Sequence, residues 1–179
     1  NEIKTDVLIV GCGVAGLYCA LQLPPEKKII IITKDAADAS DSFLAQGGIC
    51  VQRNDEDYVS FYEDTMRAGH YENKPESVDI MIRSSRDVIR ELVAYGVEFE
   101  KDGEAFAYTK EGAHSRPRIL FHEDETGKEI TSKLLAEAQK RSNITLVEHF
   151  TMVDLLCRDN ECFGIVGKDA DGNYVTVLA

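Results

Sequence analysis

The stretch Thr5 to Gly16, TDVLIVGCGVAG, decides the fold. Its first half, Thr5 to Val10, is a short apolar run without polar alternation, the pattern of a strand buried on both faces of a parallel sheet. It stops at Gly11 and gives way to Val14 to Leu23, rich in Ala and Leu, which predicts a helix closed by Pro24-Pro25. Lys28 to Thr33 (KIIIIT) predicts a second buried strand. Strand, glycine turn, helix and strand in this order make a βαβ unit. The glycines are spaced Gly11-x-Gly13-x-x-Gly16. In that pattern the first permits a tight turn, the second lets backbone approach a pyrophosphate, and the third lets helix and strand pack closely. Phosphates then sit on free N–H groups at the helix N-terminus, favoured by its dipole. The expectation is an α/β, Rossmann-like dinucleotide-binding fold with Gly11, Cys12, Gly13, Val14, Ala15 and Gly16 as cofactor contacts. A strand–helix turn of purely structural use is the alternative.

In the dinucleotide pattern an acid at the end of the second strand binds the adenosine ribose. Lys34 stands there instead, followed by Asp35; a cation at this place suits a 2′-phosphate, which keeps NADP as a rival ligand. Lys34 to Arg53 is long and irregular, and such a loop in a compact domain usually carries function. Asp57 to Ala68 predicts a helix. Asn73-Lys74-Pro75-Glu76 has capping-box character with proline in the first turn. It precedes Val78, Ile82, Ile89 and Leu92 at helical spacing, with Gly96 as the stop. Val97 to Lys110 predicts a hairpin or loop around Asp102-Gly103. Thr126 to Glu129 (TGKE) is a second capping-box pattern, opening a helix through Ile130, Leu134, Leu135 and Ala138. Ile144 to Glu148 returns as a strand. Thr151 to Cys157, Cys162 to Asp169 and Tyr174 to Ala179, separated by Asp159-Asn160 and Asp171-Gly172-Asn173, predict a β-meander.

A chain of 179 residues suffices for one domain with its own core. No apolar run approaches the ~20 residues of a membrane span. The polar Asn1 to Asp6 leads straight into a strand with no basic and apolar leader, so a cytoplasmic protein is expected. The five cysteines (Cys12, Cys19, Cys50, Cys157, Cys162) are odd in number and scattered, with no C-x-x-C. That argues against a disulfide framework or a metal site and for reduced, mostly buried thiols. A formal net charge of −12 repels a phosphate backbone, so nucleic acid is not an expected partner. Positive charge is concentrated between Lys110 and His122, where Lys110, Arg116 and Arg118 accompany one anion, Glu111. A basic patch on an acidic chain points to a small anionic ligand.

Ser40 to Ile49, SDSFLAQGGI, resembles the flavin-cradling loop of the succinate dehydrogenase, fumarate reductase and L-aspartate oxidase superfamily, and its A-Q-G-G-I core matches as it stands. Adjacent glycines let main chain lie against a flat ring and offer N–H groups to its polar atoms. Ser42 offers a hydroxyl to a phosphate or to the ring. The resemblance implies FAD, with Asp41, Ser42, Phe43, Leu44, Ala45, Gln46, Gly47 and Gly48 around it. Members that attach flavin covalently carry a histidine in this loop. Asp41 is its counterpart here, so FAD is expected to be non-covalent. A lysine ending the second strand is familiar in this superfamily, which makes Lys34 a further FAD contact; Met152 and Val153 are added to the cofactor contacts.

Thr109 to Leu120, TKEGAHSRPRIL, is similar to the T-[RK]-E-G-[GA]-H-S-x-x-R-I-L stretch of L-aspartate oxidases. His122 and Asp124 to Ile130 continue the match, so the resemblance covers essentially the whole chain. Pro117 departs from a residue that is often basic in the family, which thins the positive patch. The substrate so implied, L-aspartate, is a dicarboxylate with an α-ammonium. Arginine binds carboxylate in a planar, bidentate way, and a carboxylate complements ammonium. The resemblance therefore implies that Glu111 orients the amino acid and separates it from succinate, with His114 and Arg118 as further substrate-orienting residues. For these the alternative is a loop salt bridge or a packed side chain. The implied reaction forms iminoaspartate in NAD biosynthesis, with oxygen or fumarate as electron acceptor and quinolinate synthase as a downstream partner.

The family's chain is longer, and its capping domain carries the catalytic base. Residues 1–179 are thus expected to be one FAD-binding domain, incomplete at its C-terminus, without the capping and C-terminal helical domains, any catalytic base or any metal ligand. Two further readings stay open. One is a fumarate reductase or succinate dehydrogenase flavoprotein without aspartate specificity, which aspartate and succinate as competing reductants separate. The other is a non-catalytic FAD or dinucleotide module. Flavin absorbance near ~375 and ~450 nm distinguishes FAD from NADP.

Overall fold

The computed structural model describes residues 1–179, which divide into two compact units, Asn1–Leu44 with Ile130–Ala179, and Ala45–Glu129. The first part of the chain forms β1 (Glu2–Lys4), β2 (Val7–Val10), α1 (Val14–Gln22), β3 (Ile29–Ile32) and α2 (Asp41–Leu44). Then follow β4 (Ile49–Cys50), α3 (Tyr58–Ala68), α4 (Pro75–Ala94), β5 (Lys101–Asp102), β6 (Ala105–Phe106) and β7 (Ile119–Leu120). The last part holds α5 (Thr126–Lys140), β8 (Ile144–Val147), β9 (Thr151–Arg158), β10 (Glu161–Lys168) and β11 (Tyr174–Leu178).

The frame of the first unit is a three-stranded parallel sheet in the order β2-β3-β8. Four consecutive isoleucines suit its central strand, because both faces of β3 are covered. On one face Ile31, Leu17 of α1, and Leu135 and Ala138 of α5 surround a small cavity. On the other, Ile32 packs with Phe150, Ile165, Val175 and Val177, joined by Leu8, Ile30 and Val147. Burying an isoleucine side chain contributes about 1.5–3 kcal/mol, so this strand is a large part of the unit's cohesion. The predicted meander is present as β9, β10 and β11, in a second sheet of order β1-β11-β10-β9. β1, parallel to β11, leaves no mark in the sequence pattern. It is an exposed edge strand with Ile3 between two charged residues, secured by main-chain bonds from Thr176 N–H to Asn1 O and from Thr5 N–H to Leu178 O.

In the second unit α3 and α4 pack through Phe61, Met66, Val78 and Ile82. The buried side of α4 is Val78, Ile82, Ile89 and Leu92, the apolar set that its spacing predicts. Its end is a Schellman motif: Val97 N–H bonds Leu92 O and Gly96 N–H bonds Val93 O, with Gly96 at φ +92°. The hairpin around Asp102-Gly103 is β5 paired with β6.

Three local expectations are corrected. Asn73 does not cap α4: Lys74 holds the N-cap position without a side-chain bond, and the amide of Asn73 packs instead against Gly69. Thr126 and Glu129 do not form a reciprocal box: Thr126 Oγ1 accepts from His122 N–H and Glu129 accepts from Glu98 N–H, tying neighbouring segments to the helix start. Finally, only Cys12 is fully buried; Cys50 is half-buried, and Cys19, Cys157 and Cys162 are exposed.

Candidate functional site

At the C-terminal ends of β2 and β3, where open α/β sheets bind ligands, the first unit holds a cavity of about 530 Å3. Gly11, Cys12 and Gly13, Lys34 and Asp35, Asp41 and Ser42, and Met152 all line it. Gly11 takes φ +107° and donates its N–H to Ile32 O at 2.8 Å, turning the chain from β2 into α1. The first amides of a helix have no intrahelical acceptor. Here Ser42 Oγ accepts from Val14 N–H at 3.2 Å, which ties α2 to the first turn of α1. The neighbouring amides of that turn, around Ala15 and Gly16, are the donors a helix N-terminus offers an anion. Gly16 lies so close to the turn that a Cβ would stand 2.0 Å from Gly11 O. Cys12 points inward and donates to Ala37 O at 3.4 Å, so its contribution to the cavity is main chain.

Sequence reasoning missed Glu148, which accepts from Ala37 N–H at 2.7 Å and fastens the wall of this cavity. The available signal was an acid just past the C-terminal end of the third parallel strand. Val153 is not brought to the cavity: it neighbours Met152 on a strand, where successive side chains point to opposite faces. Phe43 and Leu44 lie on α2 outside the lining, and Ala45, Gln46, Gly47 and Gly48 belong to the second unit.

There the glycine pair meets the Glu111 loop. A Cβ on Gly48 would stand 2.3 Å from the Leu120 carbonyl oxygen, where β4 and β7 begin to pair. The site of a Cβ on Gly47 is 3.8 Å from a carboxylate oxygen of Glu111. The loop carrying Glu111 is closed at its base by bonds in both directions between Thr109 and Ile119. At its tip Ala113 takes φ +70°, which costs a non-glycine residue about 1–2 kcal/mol.

The far side of the loop is clamped by a buried ionic cluster. Ser115 donates both its N–H and its hydroxyl to Asp64 Oδ2, each at 2.7 Å, and Arg118 donates to the same oxygen at 2.7 Å. Arg118 also donates to Asp57 at 2.8 Å and to Ser60 Oγ at 2.9 Å, with its guanidinium over the Phe61 ring. Burial alone pushes both carboxyls up. For Asp64 the Ser115 and Arg118 bonds win and hold it far below the usual range; for Asp57 Arg118 is the main counterweight, and its carboxyl is also held down. Arg118 is wholly buried, so the structure places it as the clamp of the loop and not where a substrate carboxylate would reach it.

His114 is likewise engaged internally. Its Nδ1 lies 3.0 Å from an Arg118 nitrogen and its Nε2 lies 3.2 Å from Cys50 Sγ. Arginine only donates, so Nδ1 accepts and the proton sits on Nε2, donating to sulfur. Burial and the Arg118 charge both lower the His114 pKa, which keeps the ring neutral; burial raises the Cys50 thiol. Both side chains line an apolar cavity of about 660 Å3 with Phe61, Met81 and Ile89. The missed members of this cluster are Asp57 and Asp64. Their signal is two acids on the helical face that also carries Phe61, a placement that demands a cation.

The family described as FAD binding domain matches residues 6–179. The chain belongs to that FAD-binding domain family. An L-aspartate oxidase of Clostridium perfringens is 45% identical over 174 residues, 97% of this chain and 39% of that protein. An L-aspartate oxidase of Pseudomonas aeruginosa is 36% identical over 98% of this chain and 34% of its own length. The chain thus spans less than two-fifths of the curated relatives it matches. An E. coli quinol fumarate reductase superposes at TM-score 0.95 with 24% identity, covering 100% of this chain and 32% of that one, and shares the fold.

FAD is the cofactor of this FAD-binding domain, and the residues present fit it. Within the first unit, main-chain donors at a helix N-terminus and the Lys34 cation line one cavity and suit a diphosphate. Ser42→Ala removes the acceptor that fixes Val14 N–H, a bond worth about 0.5–1.5 kcal/mol. FAD affinity is therefore expected to fall roughly 2- to 10-fold, read by flavin fluorescence on titrating flavin-free protein. Unchanged affinity refutes the role given to Ser42.

Proposed function

We propose that this chain supplies the FAD-binding part of an enzyme that oxidises L-aspartate to iminoaspartate. The observation that carries the reading is the Glu111 carboxylate set against Gly47, a glycine of the flavin-type loop. The L-aspartate oxidase name of relatives as similar as 45% supports it. Bound FAD supplies a two-electron acceptor for the substrate's α-carbon, without a covalent tether, since Asp41 offers no imidazole. Glu111 pairs with the α-ammonium, a group that succinate lacks. The Thr109–Ile119 pairing and the hold of Asp64 on Ser115 fix Glu111 in place before substrate arrives, which limits the ordering cost of binding. Oxygen or fumarate takes the electrons, and the unstable imine passes to a quinolinate-forming partner such as quinolinate synthase in the cytoplasm. No helix is long and apolar enough to cross a membrane.

The test is Glu111→Gln in the full-length enzyme. KM for L-aspartate is expected to rise at least ~10-fold, about 1.4 kcal/mol, with the flavin spectrum unchanged. Succinate, having no ammonium, should be handled as by the unaltered enzyme. Aspartate oxidation at the original KM would falsify the reading.

A further inference from the structure

The β9–β10 hairpin carries a pair of thiols that the FAD and aspartate chemistry does not use. Cys157 and Cys162 are directly opposite one another in the antiparallel register, and both are exposed. The turn between them is Asp159-Asn160, with φ +53° and +65°. Two positive φ values in a two-residue loop mark a type I′ turn, which locks the strand register. The closing pair is Arg158 with Glu161, and Cys157 with Cys162 is next along. Pairs alternate along an antiparallel ladder, so this second pair is of the non-hydrogen-bonded kind, with Cα atoms roughly 4.5 Å apart. That separation lies within the roughly 4.4–6.8 Å that a disulfide spans. Cys162 donates its S–H to Gly164 O at 3.6 Å.

We propose that Cys157 and Cys162 form a thiol–disulfide exchange site that closes to an intramolecular disulfide on reaction with a low-molecular-weight disulfide. Cys162, as thiolate, attacks one sulfur of the small disulfide, forming a mixed disulfide and releasing one thiolate, which takes up a proton. Cys157, as thiolate, then attacks Cys162 Sγ, forming the protein disulfide and releasing the second small thiol. The balance is two protein thiols oxidised and one small disulfide reduced to two thiols. The mirror sequence, starting from Cys157, gives the same product, because the two residues stand opposite one another across the ladder. The second step is intramolecular between groups already opposed, so the mixed disulfide does not accumulate.

The probe is glutathione disulfide, applied to the folded full-length protein, followed by alkylation and tryptic mass spectrometry without reduction. Cleavage after Arg158 separates the two cysteines, so the disulfide appears as a cross-linked pair of peptides. Cys19, an exposed thiol on α1, serves as comparator. The expected result is the linked pair at 157 and 162, in at least tenfold excess over their glutathione adducts, while Cys19 carries only the adduct. Cys157→Ser should convert Cys162 to a stable glutathione adduct. Glutathione adducts on both native cysteines, or a pair still reduced when Cys19 is modified, would overturn the proposal.

Discussion

Arg118→Met is expected to destabilise the protein by about 3–5 kcal/mol, lowering the unfolding midpoint by roughly 10 °C. Methionine fills much of the volume, so the loss is electrostatic. Asp57 and Asp64 are themselves buried, and the variant leaves them without the guanidinium both bind. The pH dependence gives the cause away. In the native protein both carboxyls are held below their unfolded value of about 3.9. Their stabilising contribution is therefore complete above about pH 4 and is lost as pH falls towards the folded pKa values. In the variant Asp57 loses its ion-pair partner, so its pKa rises and protonation relieves the penalty, whereas Asp64 keeps the Ser115 bonds and its ion pair with Arg67. The deficit relative to native protein should narrow as pH is lowered from about 7 to about 4. Adding Asp57→Asn, which removes the carboxylate left without a cation, should recover most of the loss. Urea unfolding across that pH range decides the matter: a constant or widening deficit shows that packing, not charge, is what Arg118 provides.

The second large effect is at Gly16. Gly16→Ala puts a methyl group 2.0 Å from the Gly11 carbonyl oxygen and 3.2 Å from the Ile9 side chain. A backbone atom cannot rotate away as a side-chain tip does, so α1 must move off β2. Overpacking of this kind costs about 1–3 kcal/mol. Because the displaced segment is the first turn of α1, FAD binding should weaken at least ~10-fold alongside. Gly112→Ala is the matched control: its methyl meets nothing within 4 Å, and stability should change by less than ~0.5 kcal/mol. Flavin titration and unfolding of both variants give the comparison. FAD retained by Gly16→Ala at native affinity would remove the close approach from the account of the site.

The nucleotide frame was legible because its signals are local. A glycine turn between a buried strand and a helix, and four isoleucines in a row, specify β2, α1 and β3 almost to the residue. The helical face of α4 was equally plain. The ionic cluster was not, because Asp57 and Asp64 are far in sequence from Arg118, and a charged triad carries no periodicity. Arginine in a basic stretch reads as a surface ligand until its partners are known; folding turns Arg118 inward and makes it the anchor of the loop that carries Glu111. The capping motifs failed for a related reason. Thr126 and Glu129 have the right spacing for each other, but the backbone N–H groups of His122 and Glu98 claim their side chains.

The parallel sheet pairs β3 with β8, yet the whole of Ala45–Glu129 is synthesised between them. The ends of that intervening stretch are tied by the bond from Gly127 N–H to Ala45 O at 2.9 Å. On the ribosome, β3 therefore emerges with one edge unsatisfied and waits until the later strand is translated. If the intervening stretch has already closed on itself, the delay costs less, because loop-closure entropy grows only slowly with the length that remains flexible. Nascent chains stalled so that Val147 is still inside the exit tunnel, or already clear of it, would differ sharply in protease resistance of the amino-terminal segment.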